Sequence, residues 1–176
     1  MKIKTTSSVV IRVLLWVIIL VGGVIIGLKF DLIYFKKLLF SPLFHIITFI
    51  VGFFFMKLSF NAAKVGGREL KKMGREGDIP RLETNRLVTT GIFKCFRHPM
   101  LFGLSFIPLS LALLIGSPTF ILFIAPLEMI FILIMVLIFE EAEAYKKFGE
   151  DYKAYKNSTP IFPKKPECYR WLFFKD

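Results

Sequence analysis

Four stretches of the chain run long and almost free of charge: Val13 to Leu28, Leu38 to Met56, Met100 to Gly116 and Thr119 to Phe139. Each approaches the ~20 residues that cross a hydrocarbon core about 30 Å thick. Apolar and polar residues do not alternate within them, and backbone groups in lipid must bond inside their own segment, so the pattern predicts helices rather than barrel strands. The expected architecture is all-α: a polytopic membrane protein with about four transmembrane helices, near residues 9–28, 38–57, 99–116 and 119–140, in a single membrane-embedded domain over 1–176.

The segments outside the spans differ in character. The loop 58–97 contains Gly66-Gly67, Gly74, Gly77 and Pro80, which are expected to break any continuous helix. Its second half, Arg86 to Arg97, turns apolar again and is expected to pack against the helices. In the tail, 141–176, Ala144, Tyr145, Phe148, Tyr152 and Tyr155 recur at helical spacing with a basic opposite face, up to Asn157-Ser-Thr-Pro160 and Pro163. This predicts an interfacial helix with an interruption at Gly149.

Composition agrees with lipid as part of the solvent: 55% of residues are hydrophobic, and mean hydropathy is +0.64, too apolar for an ordinary soluble domain. Basic residues then orient the spans. Lys2, Lys4 and Arg12 lead the chain, ten Lys and Arg fall between Lys57 and Arg97, none lies in Gly116 to Thr119, and eight follow Glu140. Both termini, the long loop and the tail are therefore expected on the cytoplasmic side. The first run also suits a signal peptide, but no small-x-small site follows Gly27, so it reads as an anchor. Arg12 is close enough to the helix end to snorkel and is given no role. The net charge of +11 points to anionic membrane lipids as partners rather than to nucleic acid, for which no binding motif is present. Cys95 and Cys168 fall on the expected cytoplasmic side and have no metal-ligand spacing, so neither a disulfide nor zinc is expected.

Chemistry-capable residues gather at two places. Arg97-His98-Pro99 precedes the third span, where proline suits the first helical position and His98 stands near the N-cap. A helix start with an arginine beside it can hold an anion; the plainer alternative is a basic anchor at the membrane surface. Glu140-Glu141 ends the fourth span, where the helix dipole favours cations, so the pair calls for a continuing helix or a cationic ligand. Glu143 is readily paired with Lys147. Spans three and four are joined by a few residues and must lie antiparallel, which brings His98 and Glu140 to similar depth. One cleft with an anion-binding and a cation-binding end would suit a zwitterionic amino-acid group.

The blocks Asn85 to Gly103, Glu140-Glu141, Phe148 to Tyr152 with Tyr155, and Pro160 to Pro163 together resemble the isoprenylcysteine carboxyl methyltransferase and phospholipid methyltransferase superfamily of membrane enzymes. The resemblance covers roughly the C-terminal half. It implies S-adenosylmethionine-dependent methyl transfer to a hydrophobic or lipid-like acceptor, a small molecule or a lipidated one, at the cytoplasmic face. It further implies that Asn85, Arg86, Leu87, Val88 and Phe93 line the cofactor, that His98, Pro99, Met100 and Leu101 meet its amino-acid part, and that Glu140 binds its ammonium group; Arg97 and Glu141, from the helix start and the carboxylate pair, are counted with them as cofactor-binding candidates. Eukaryotic members carry an arginine one turn before the glutamate to hold the substrate. Val136 stands there in this chain and the fourth span contains no Lys or Arg, which argues against a prenylcysteine carboxylate as acceptor.

Glu128, inside the fourth span beside Pro126, is expected to be paired, neutral or functional, because a charge there costs ~3 kcal/mol. It is a candidate for the acceptor site, with His45 of the second span as a possible partner. No residue is singled out as a general base. The same C-terminal blocks resemble NADPH-dependent sterol reductases, and a non-enzymatic interaction protein whose basic loop binds anionic lipid is the third reading.

Overall fold

A computed structural model describes residues 5–79 and 83–173, and side chains from residue 11 onward apart from Arg12. The expectations placed on Lys2, Lys4, Arg12, Pro80 and Arg81 lie outside the described residues. Regular structure among the described residues is helical throughout. Three helices are long and apolar enough to cross a membrane: α1 (Thr5–Tyr34), α2 (Pro42–Met73) and α5 (Phe120–Ser158). Between α2 and α5 the shorter apolar stretch Pro99–Ile115 divides into α3 (Pro99–Ser105) and α4 (Ile107–Ile115). Pro108 has no N–H for the carbonyl one turn back, and Phe106 N–H instead donates to the carbonyl of Gly103, which tightens the chain at the junction. A final short helix, α6 (Pro166–Phe173), ends the described chain.

α2 corrects one expectation. It continues to Met73, through Gly66-Gly67, instead of giving way to a loop after residue 57. Leu58, Ser59, Ala62 and Gly66 form a buried face at helical spacing, and the small residues on it admit a neighbouring backbone. A methyl group on Gly66 would lie 3.2 Å from Pro99 and 2.8 Å from Met100, and one on Gly103 would lie 2.5 Å from the carbonyl oxygen of Ser59. Close approach of α2 and α3 is what these glycines provide. The helix stops only at Gly74, whose carbonyl accepts from the N–H groups of Asn85 and Arg86.

α5 joins the expected fourth span and tail helix into one element of 39 residues. The 29 residues ahead of Gly149 alone rise roughly 43 Å at 1.5 Å per residue, so part of α5 extends beyond a ~30 Å hydrocarbon layer. Wide π-helical turns occur at Phe120–Ile124 and Val136–Glu140. The first lies just before Pro126, which withholds a helical donor; the second changes the direction in which Glu140 and Glu141 project. The interruption expected at Gly149 is present, with φ 56° and ψ −132° inside the helix.

The chain divides into two compact units, residues 1–56 with 107–130 and residues 57–106 with 131–176. In the first, Leu20, Ala112, Phe120 and Ala125 form the core, with Trp16, Val24 and Ile124 packed on it. Asp31, completely buried, accepts the Thr119 N–H at 2.7 Å and the Ser117 hydroxyl, capping the start of α5 from another helix. Outward-facing side chains such as Ile18, Phe53 and Leu127 are more than 60% exposed, as lipid-facing residues are. In the second unit Ile92, Phe93, Phe96, Val136, Tyr152, Tyr155, Cys168 and Leu172 are buried. Here the cysteine expectation is also corrected: Cys95 and Cys168 form a disulfide, with Cα atoms 5.5 Å apart. Their separation of 73 residues gave no local sign of it.

Candidate cofactor cleft

Four segments of the second unit surround one cleft: the end of α2, the irregular stretch 83–98, the start of α3, and α5 from Glu140 to Tyr155. The irregular stretch is tied down at several points. Asn85 exchanges two hydrogen bonds with the backbone of Glu76, donating at 2.6 Å and accepting at 2.8 Å. The Thr90 hydroxyl donates to Glu69 at 2.6 Å, and the Tyr155 hydroxyl donates to the carbonyl of Phe93 at 2.7 Å. A single 3₁₀ turn, Gly91–Lys94, carries Ile92 and Phe93 inward.

The charged centre is built on Glu141. Its Oε1 accepts Arg97 Nε at 3.0 Å and Nη2 at 2.6 Å, while its Oε2 lies 2.5 Å from Lys156 Nζ. The remaining Arg97 nitrogen, Nη1, donates to the carbonyls of Lys156 and Thr159 at 3.0 and 2.7 Å. Burial alone would push the Glu141 carboxyl up, but the two basic neighbours outweigh it and hold it below the ordinary carboxylate range. Arg97 is therefore committed to the protein, which differs from the expected anion site at the start of α3. That helix is itself only seven residues long.

His98 is the N-cap residue of α3 but makes no side-chain cap bond. Its buried Nε2 sits 3.6 Å from Glu141 Oε1 and has no hydrogen-bond partner in the protein. Burial lowers the pKa of His98; Glu141 opposes this and Arg97 adds to it, leaving a neutral imidazole near pH 7.

The cleft encloses about 310 Å³, within the range of small-molecule sites. Of the residues expected around a cofactor, Arg86, Leu87, Val88, Phe93, Arg97, His98, Pro99, Met100, Leu101 and Glu140 line it. Asn85 and Glu141 do not: the first clamps the loop and the second anchors Arg97 and Lys156. The lining also includes Leu70, Thr84, Ala144, Phe148, Tyr152 and Tyr155, none of them among the expected site residues. Leu70 was hidden by the unexpected length of α2. Tyr152 and Tyr155 were visible as an apolar helical stripe, a pattern that does not tell a packing face from a binding face. The Tyr152 hydroxyl is buried without a protein partner, and burial pushes its pKa up to about 12, so it stays protonated. A slot of about 20 Å³, lined by Phe102, Ile132, Val136 and Phe162 among others, shares His98 and Leu101 with the cleft.

Glu128 and His45 both belong to the other unit and do not pair. His45 Nε2 lies 2.6 Å from the carbonyl of Leu39, and a methyl on Gly116 would fall against its ring. The Glu128 carboxylate is buried against Gly23, with neither oxygen hydrogen-bonded in the protein.

Comparison with known proteins places these observations. No curated protein and no solved structure matches the chain. The family model described as phospholipid methyltransferase matches residues 41–151, a stretch that runs from the start of α2 into the cleft-lining part of α5 and ends just past Gly149, before Tyr152 and Tyr155. The chain thus belongs to the phospholipid methyltransferase family, within the membrane methyltransferase superfamily that also holds the isoprenylcysteine carboxyl methyltransferases.

Proposed function

We propose that the cleft binds S-adenosylmethionine and that the protein methylates a lipid-like acceptor at the cytoplasmic face of the membrane. The observation that carries this reading is the polar inventory of an otherwise apolar cleft. Glu140 is on its wall, and His98 Nε2 and the Tyr152 hydroxyl, both buried, accept or donate no hydrogen bond within the protein. Buried polar atoms are seldom left unsatisfied, so their orphaning fits a polar guest. A ligand with a cationic amino-acid end and an apolar ring system matches a carboxylate beside Leu87, Val88 and Phe93.

Bound there, S-adenosylmethionine supplies an electrophilic methyl group. The chain's own contribution is placement and exclusion of water. Glu140 would hold the ammonium group, and the Tyr152 hydroxyl, un-ionised at neutral pH, would offer a hydrogen bond without adding charge. His98, neutral and shared between cleft and slot, is placed to accept a proton from an amine or hydroxyl acceptor. The largely apolar lining of the slot, Val136 included, suits the hydrocarbon part of such an acceptor, and with His98 and Ser105 as its polar members it holds no Lys or Arg to pair with a carboxylate. The basic residues of 57–97 and of the tail support the cytoplasmic placement of this region and of both termini, against which stands the Cys95–Cys168 disulfide, a bond uncommon where thiols are kept reduced.

Calorimetric titration of detergent-purified protein with S-adenosylmethionine and, separately, NADPH tests the reading. Binding of the first alone is expected, with Glu140→Ala at least about tenfold weaker through loss of one charge-assisted contact. Binding of NADPH instead would move the chain to the reductases, binding of neither would leave an interaction protein, and unchanged affinity in Glu140→Ala would remove Glu140 from the site.

A further inference from the structure

Beyond the cleft, the second unit has a larger crevice of about 490 Å³ whose lining includes Lys94, Lys156, Lys164, Lys165, Glu167 and the disulfide Cys95–Cys168. The two cavities share Arg97, whose guanidinium is taken up by Glu141 and two carbonyls, so they are separate sites. Lys156 is held by Glu141. Among the described residues Lys94, Lys164 and Lys165 form no ion pair, and Glu167 is the acidic side chain on the wall, so three ammonium groups face one carboxylate.

The basic residues come from different parts of the chain, and the frame carrying them is fixed before any ligand arrives. Arg97 N–H donates to the carbonyl of Pro160 at 3.1 Å, the Tyr169 hydroxyl donates to that of Pro163 at 3.1 Å, and Cys168 N–H donates to that of Lys165 at 3.0 Å. The disulfide ties the base of Lys94 to α6. Like charges lining one crevice with a single carboxylate among them are short of counter-charge, and an anion with several acceptor oxygens supplies it. Phe162 and Tyr169, 46% and 45% exposed, stand on the same loop and helix, the placement aromatic side chains take at a lipid boundary.

From this we infer that the crevice is an accessory anion site for a phosphate group, carried by an anionic phospholipid head or presented free in solution. It is independent of methyl transfer: a bound phosphate bridges Lys94 to Lys164-Lys165 and holds the α6 end of the molecule against an anionic membrane surface.

Detergent-purified full-length protein is titrated with short-chain phosphatidylglycerol, short-chain phosphatidylcholine and inorganic phosphate. Saturable binding of phosphatidylglycerol is expected, weakening as salt rises and weaker by about tenfold or more in Lys164→Gln/Lys165→Gln. Lys71→Gln/Lys72→Gln, which removes two exposed charges from the end of α2, should leave it unchanged. Phosphate competing for the site identifies a general phosphate pocket, whereas phosphatidylglycerol binding alone identifies a lipid-head site; either supports the inference. Equal binding of phosphatidylcholine, no saturation, or full affinity in the Lys164/Lys165 variant overturns it. Neither lysine lines the cleft, so S-adenosylmethionine affinity measured on the same variant reports separately on the proposed function.

Discussion

Three basic residues converge on the Glu141 carboxylate, and the environment of each follows from that acid. Arg97 and Glu141 are nearly buried, with side chains 10% and 5% exposed, so removing the acid leaves a desolvated guanidinium with only carbonyl partners. Glu141→Ala is expected to cost about 3 kcal/mol, since the cation left behind is penalised more than the lost pair was worth. Half-exposed Lys156 should add little. Thermal melting in detergent checks this, and Arg97→Met added to Glu141→Ala should restore part of the loss. His98 gives a pH signature. Its pKa in the folded protein lies below the unfolded value of about 6.5, so below that pH the unfolded chain takes up a proton that the folded one resists. Stability should therefore be complete above about pH 6.5 and fall as pH drops toward the folded value, and His98→Gln should flatten the melting profile there. The sequence brought Arg97, His98 and Glu140 to one place through helix pairing. It did not reveal that Glu141 occupies Arg97, because that contact joins positions 44 residues apart and depends on side-chain direction after the turn at Val136–Glu140.

At the scale of elements, hydropathy located the apolar stretches well and their ends poorly. α2 outran its expected end because a face of small residues, rather than an apolar run, carries it past Lys57. Gly103→Ala places a methyl 2.5 Å from the Ser59 carbonyl and should cost about 2 kcal/mol by forcing backbones apart. Gly22→Ala, in α1 with nothing within 4 Å, should be neutral or stabilising by up to ~1 kcal/mol from helix propensity. Comparing their melting temperatures separates packing from propensity. Gly149 is a third case: an added methyl meets no atom within 4 Å, yet φ of 56° with ψ of −132° is a backbone conformation that side-chain-bearing residues avoid. Gly149→Ala should cost about 1–3 kcal/mol and weaken cofactor binding, since Tyr152 and Tyr155 follow the kink. The interruption was legible because glycine broke a clear helical stripe. Asp31, buried to cap α5, was not, because an aspartate between two apolar runs looks like any loop residue.

For the molecule as a whole, membrane character and helical class could be read from hydropathy alone, whereas the covalent link could not. The bond between Cys95 and Cys168 closes a loop over a separation of 73 residues, which by chain entropy contributes roughly 4 kcal/mol through the unfolded state. Cys168→Ser should lower the melting temperature of oxidised protein and leave that of reduced protein nearly unchanged. Within the loop lie α3, α4, α5 and most of the cleft wall, while α1 and α2 lie outside it. A protease cut at an accessible bond between the two cysteines should yield pieces that migrate together on a denaturing gel until a thiol reductant separates them. Cleavage before Cys95 should release a free fragment at once. Covalently, then, the chain is open ahead of Cys95 and ringed from there to Cys168.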